Sequence, residues 1–183
     1  NGKPTILAVD DTSESLSLLN SLLIPAGYKV LPANSGELAL ATVAAAPPDL
    51  ILLDVRMQGI DGLEVCRRLK ADPKTQHIPV ILISAFGDVD DWVEGLKLGA
   101  ADYITKPFQA AELLARIKTH LTLSQAKTVL EDQAAALDQK NEQLQLEIVN
   151  RQEMEDKLRQ NLAQIERSRL ALLSTLEDQQ RVE

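Results

Sequence analysis

Cysteine occurs once in this chain, at Cys66, so no internal disulfide framework can hold it, and a reducing compartment is the expected setting. The helical, partly apolar context of Cys66 predicts plain packing rather than reactivity. Positive charge is also scarce: 19 Lys and Arg face 27 Asp and Glu, a net charge of −8. Residues 1–120 carry 11 basic and 15 acidic groups, and residues 121–183 carry 8 and 12, so there is no basic pole. Neutralising phosphates takes clustered Lys and Arg, which argues against nucleic acid as a direct partner. No apolar run approaches the roughly 20 residues that a membrane span needs, and no secretory segment is recognisable, so a cytoplasmic location without a membrane span is expected. Finally, all 8 prolines, all 8 glycines and every aromatic residue lie at or before Phe108. A segment without breakers, rich in Leu, Ala, Glu, Gln, Lys and Arg, favours helix, and without aromatics it has little from which to build a core. The expected organisation is a globular domain over 1–120 and one long helix over 121–183.

What is present in the first 120 residues is alternation. Apolar runs of strand length occur at Thr5 to Val9, Tyr28 to Leu31, Asp49 to Asp54, Ile78 to Ile83 with the strand starting near Pro79, and Ala101 to Thr105. Between them lie helical stretches at about Ser13 to Pro25, Ser35 to Ala46, Leu63 to Ala71 and Val89 to Leu98, with Thr12 or Ser13 as a candidate N-cap and Gly99 as a C-cap. Four consecutive large aliphatics, Leu50 to Leu53, read as a strand covered on both faces. Parallel connections need crossover helices, so these units predict an α/β fold, a doubly wound five-stranded parallel sheet of flavodoxin-like order 2-1-3-4-5.

In that order the carboxyl ends of strands one, three, four and five meet around one crevice, where ligands bind in open α/β sheets. They deliver Asp10 and Asp11, Asp54, Ser84 and Lys106. Three carboxylates at adjoining strand ends repel one another, so at least one should resist ionising unless a cation joins them; a divalent metal is the simplest answer, and Mg²⁺ prefers such oxygen ligands. A carboxylate can act as a nucleophile toward phosphorus, while a lysine and a hydroxyl neutralise and hydrogen-bond the phosphoryl oxygens. The set reads as a phosphoryl-transfer kit.

Over about residues 4–122 the chain resembles the receiver domain of bacterial two-component response regulators. The motifs are Val9-Asp10-Asp11, Leu52-Leu53-Asp54-Val55-Arg56-Met57, Asp61-Gly62, Ile83-Ser84-Ala85 and Tyr103-Ile104-Thr105-Lys106-Pro107-Phe108. The resemblance implies that Asp54 is the phosphoacceptor, that Asp10, Asp11 and Asp54 position Mg²⁺, and that the backbone carbonyl of Arg56 is a further ligand. It also implies that Ser84 and Lys106 contact the phosphoryl group, that Ser84 and Tyr103 act as switch residues, and that the Lys106-Pro107 peptide is cis. The implied donor is a sensor histidine kinase or a phosphotransfer protein. Gln58 stands where the family often has proline. The Arg56 side chain is expected to tune hydrolysis of the acyl phosphate. With Arg56 and not a general acid two residues after Asp54, the domain is expected not to be an enzyme beyond phosphorylating itself from a donor and slowly losing that group.

The tail repeats every seven residues. Leu123, Leu130, Leu137, Leu144, Arg151, Leu158, Ile165 and Leu172 fall at d positions, and Lys127, Ala134, Asn141, Ile148, Glu155, Leu162, Arg169 and Leu176 at a positions. This predicts a parallel, dimeric coiled coil whose seam uses Leu130, Leu137, Asn141, Leu144, Ile148, Leu158, Leu162, Ile165, Leu172 and Leu176, with Asn141 favouring a two-stranded pairing. The seam is interrupted near Arg151 and Glu155, where Met154 offers a shifted register. The helical register reaches Glu183 without a cap, and the chain starts at Asn1 without an initiator methionine, so the natural protein is expected to continue into an output domain. The expected function is a phosphoacceptor signalling module acting through a homodimer, the alternative being a constitutive dimerisation scaffold with a vestigial site.

Overall fold

The computed structural model describes residues 2–85 and 89–180, with side chains described throughout those ranges except at Val89, Asp90, Trp92 and residues 173–180, which include Leu176 of the expected seam. The chain divides into two units, Asn1–Thr128 and Val129–Glu183.

In the first unit, β1 (Thr5–Val9), β2 (Lys29–Ala33), β3 (Leu50–Asp54), β4 (Val80–Ala85) and β5 (Asp102–Lys106) alternate with α1 (Ser13–Leu23), α2 (Gly36–Ala45), α3 (Gly62–Ala71) and α4 (Val89–Lys97), and α5 (Ala110–Gln180) follows. The strands form one parallel sheet of order β2-β1-β3-β4-β5. Alternate strand residues face opposite layers. Leu7, Val9, Ile51, Leu53, Val80 and Leu82 pack with Ala39 and Val43 of α2 and with Val65, Cys66 and Leu69 of α3. Ile6, Ala8, Leu50, Leu52, Ile81 and Ile83 pack with Leu19 and Leu23 of α1 and with Leu113, Ile117 and Leu121 of α5. The central strand β3 is buried from end to end. Cys66 is fully buried, and that burial pushes its thiol pKa up, as a packing residue requires.

Three local expectations shift. The second strand runs two residues past Leu31, through Pro32, which sits opposite Ala8. β2 is an edge strand, where a missing N–H costs no ladder bond on the open side. The fourth strand starts at Val80, one residue past Pro79, because Pro79 cannot donate and only its carbonyl joins, accepting from the Ile51 N–H at 2.9 Å. At its other end β4 runs on through Ser84 and Ala85, which pair with β5. Thr12 occupies the N-cap position of α1, but its side chain makes no cap bond.

Candidate functional site

Each functional side chain lies at or just beyond the carboxyl edge of the sheet, and strand register decides which of them meet. Asp54 pairs with Ile83, so Ser84 is the next residue along β4, and Ser84 and Ala85 pair with Thr105 and Lys106. Asp10 follows directly after β1, where its backbone N–H donates to the Ala33 carbonyl at 3.1 Å. A close approach behind Asp54 holds the end of β3: a Cβ on Gly62 would run into the Asp54 carbonyl oxygen, so only glycine lets α3 begin there.

Lys106 draws the site together. Its Nζ donates to Asp10 Oδ2 at 2.7 Å and to Asp54 Oδ1 at 2.6 Å. The Lys106-Pro107 peptide is cis, as expected. Asp10 Oδ1 accepts from the backbone N–H of Thr12 at 2.9 Å and from its hydroxyl at 2.6 Å, which explains the unmade helix cap. Asp11 Oδ2 accepts the backbone N–H of Gln58 at 3.0 Å. Among the described residues, no hydrogen bond reaches Asp54 Oδ2 or Asp11 Oδ1. Oxygens of Asp10, Asp11 and Asp54 lie within 4.8 Å of one another. Three carboxylates against one ammonium leave a double negative charge, so an oxygen-only donor set of this kind fits a hard dication such as Mg²⁺.

The carboxylates are tuned in opposite directions. Burial works to raise the Asp10 pKa, but bonds from Lys106 and Thr12 outweigh it and leave Asp10 below the ordinary carboxylate range. Asp54 stands above that range, chiefly through burial; Lys106 opposes the rise, and the charges of Asp10 and Asp11 add to it. Burial lowers the Lys106 pKa, but its two carboxylate partners more than offset this, so it remains a cation. An acceptor that resists carrying its own charge next to two others is an acceptor waiting for a counterion.

The remaining residues named from the sequence are placed less directly. Ser84 is buried at the end of β4, and among the described residues no hydrogen bond joins it to Asp54 or Lys106. Tyr103 is partly buried, packing on the core layer beneath α2 and α3. The Arg56 guanidinium reaches Asp91 on α4, with Nη2 2.7 Å from Oδ2. The seam residues belong to the second unit; Leu130 and Leu172 are each 65% exposed. Sequence reasoning did not anticipate the roles of Thr12, Gln58 or Asp91. For Thr12 the Asp-x-Thr spacing of an Asx turn was a readable signal. Gln58 acts through its backbone, and Asp91 through tertiary placement, so neither leaves a pattern in one sequence.

A lysine-bridged carboxylate crevice at the switch point of a doubly wound sheet defines a metal-assisted phosphoacceptor domain. The model described as "Response regulator receiver domain" matches residues 6–118, and the chain belongs to that family, whose own chemistry is limited to gaining and losing the phosphoryl group. Response regulator PleD of Caulobacter vibrioides is 45% identical over 127 residues, covering 69% of this chain and 27% of PleD. The phosphate regulon transcriptional regulatory protein PhoB of Pseudomonas aeruginosa is 45% identical over 117 residues, covering 64% of this chain and 51% of PhoB. Among solved structures, the signal receiver domain of a signal transduction histidine kinase from Syntrophus aciditrophicus superposes with a TM-score of 0.62 at 36% identity, covering 65% of this chain and 90% of that one. The chain thus spans between about a quarter and a half of the curated relatives it matches. No described helix is long and apolar enough to cross a membrane.

Proposed function

We propose that Asp54 takes a phosphoryl group from a phosphohistidine on a partner kinase or phosphotransfer protein, and that the change is relayed through a dimeric helical tail to an output domain. The observation that carries this reading is the Lys106 ammonium held between Asp10 and Asp54. It fixes the position of the acceptor and supplies positive charge where phosphoryl oxygens would arrive. Asp10, Asp11, Asp54 and the Arg56 carbonyl are the residues that would hold Mg²⁺, which supplies further charge neutralisation at those oxygens. The free Asp54 Oδ2 attacks phosphorus while Lys106 stays paired to Oδ1. Ser84 then takes a phosphoryl oxygen by its hydroxyl, and Tyr103 follows Ser84 inward, changing the surface formed by α4 and β5.

The tail enters this reading as a parallel coiled coil. Its apolar positions Leu130, Leu137, Leu144, Ile148, Leu158, Leu162, Ile165 and Leu172 recur at heptad spacing and are solvent-exposed in the single chain, a stripe that a second copy would cover. Relatives that share the receiver to the same extent bear different functional names, PleD a response regulator and PhoB a transcriptional regulator of the phosphate regulon. Output therefore lies beyond the receiver. The test is intact mass after incubation with Mg²⁺ and a small phosphodonor: one phosphoryl adduct is expected, absent in Asp54→Ala and after chelation. An adduct that persists in Asp54→Ala would overturn the assignment.

A further inference from the structure

In the proposed site Arg56 serves through its backbone carbonyl, while its side chain is engaged elsewhere. The ion pair with Asp91 is lopsided: the Arg56 side chain is 67% exposed and that of Asp91 only 17%. Asp91 Oδ2 is shielded from water, and among the described residues no hydrogen bond of adequate geometry satisfies it. The guanidinium compensates it by charge and proximity without good alignment, a contact weaker than its 2.7 Å separation implies. A misaligned contact of this kind competes poorly with an acceptor that offers a matched pair of oxygens. Such an acceptor would arise close by. Two residues of chain, at most about 7 Å, separate Arg56 from Asp54, within reach of an arginine side chain.

We propose that the Arg56 guanidinium is exchanged between Asp91 and the tetrahedral anion formed on Asp54. This rests on Asp54 being the phosphoacceptor. Asp91 is then a positioning residue: in the resting state it withholds the guanidinium from the site, and the phosphoryl group competes for it. The exchange also removes a tether from the first half of α4. That helix lies close on β4 at Gly95, where a Cβ would run into the Leu82 side chain. The cost of breaking the pair is part of the affinity for the anion, which makes Asp91 a setting for how readily the domain switches.

The test is a thermodynamic cycle of beryllofluoride binding, with Mg²⁺, by isothermal calorimetry on the full chain. Asp91→Asn is expected to tighten binding on the order of fivefold, the scale of a partly exposed ion pair. Arg56→Gln is expected to weaken it, and Arg56→Lys to restore part of the loss. In the Arg56→Gln background Asp91→Asn should have no further effect, because the group it withholds is gone. Equal effects of Asp91→Asn in both backgrounds, or none in either, would overturn the exchange. If the unsubstituted chain fails to bind beryllofluoride at all, it is the phosphoacceptor reading that falls, and the exchange with it.

Discussion

At the scale of single residues, the site is a balance of charge that two backbone N–H groups help to set. Gln58 occupies a position where the family often has proline, and its N–H is the donor that holds Asp11 Oδ2. Proline has no such N–H. Gln58→Pro is therefore expected to weaken Mg²⁺ binding several-fold while Gln58→Ala leaves it close to unchanged, a contrast that calorimetric Mg²⁺ titration reads directly. Equal affinities would remove the Asp11 bond from the account. Asp54 supplies a second prediction through its raised pKa, caused first by burial and then by the neighbouring carboxylates against the opposing pull of Lys106. A carboxyl whose pKa is raised on folding opposes folding at every pH where it is ionised in both states. The penalty vanishes below the unfolded value, 3.8. Asp54→Asn is expected to raise the thermal midpoint at pH 7 by a few degrees, the size of response that about 1 kcal/mol gives in a domain of this kind. The gain should fade as pH falls toward 4 and disappear when Mg²⁺ is added, and thermal scans across pH with and without the ion follow it.

At the scale of elements, β5 and the start of α5 are tied by one carboxylate. Asp102 accepts two bonds from the Arg116 guanidinium, at 2.8 and 2.9 Å, and lies 3.1 Å from His120 Nε2. Burial works to raise the Asp102 pKa, but Arg116 and then His120 outweigh it, so the net shift is downward. A pKa depressed on folding contributes stability above the unfolded value of 3.8 and loses it as pH falls through the lower folded value. Asp102→Asn is accordingly expected to destabilise at pH 7 by about 1 kcal/mol, a figure discounted for partial exposure, and the difference from the unsubstituted chain should shrink below pH 4 in urea titrations. The architecture behind these ties was legible in the sequence because apolar runs of strand length alternate with helical periodicity, and Leu50 to Leu53 could only be a strand covered on both sides. The acidic set and Lys106 were legible because each follows such a run. Strand ends were less legible: the second strand runs on past Leu31 through Pro32, which an edge strand accommodates, and Pro79 joins the ladder only by its carbonyl, as a lead-in to the fourth. His120 read as a residue on the exit helix, and its partnership with Asp102 across 18 positions could come only from the fold.

At the scale of the whole molecule, the receiver and the tail are built on different principles: one buries most of its apolar residues within the chain, and the other leaves its described large apolar residues exposed, those at heptad spacing among them. In a parallel pairing, residues beside the seam meet as Gln133 with Asp138, Lys140 with Gln145, Glu147 with Gln152, Met154 with Arg159 and Asn161 with Glu166. None of these is a like-charge pair, as a parallel homodimer requires. Arg151 and Glu155 already pair within the helix at 3.4 Å, which keeps the polar break in the stripe from leaving isolated charges. If the proposed coiled-coil dimer forms, Leu144→Ala is expected to weaken it by about 2 kcal/mol per chain, the low end for loss of a packed leucine, read as a shift in the sedimentation equilibrium constant. Unchanged association would place the dimer seam elsewhere.

The most direct test of the central claim joins chemistry and assembly in one sample: intact mass and multi-angle light scattering after incubation with Mg²⁺ and a phosphodonor, beside Asp54→Ala. A single phosphoryl adduct is expected, lost in the variant, on a particle of twice the chain mass. A dimer that takes up no phosphoryl group, and does not respond to beryllofluoride, would contradict it and leave a scaffold with an inert site.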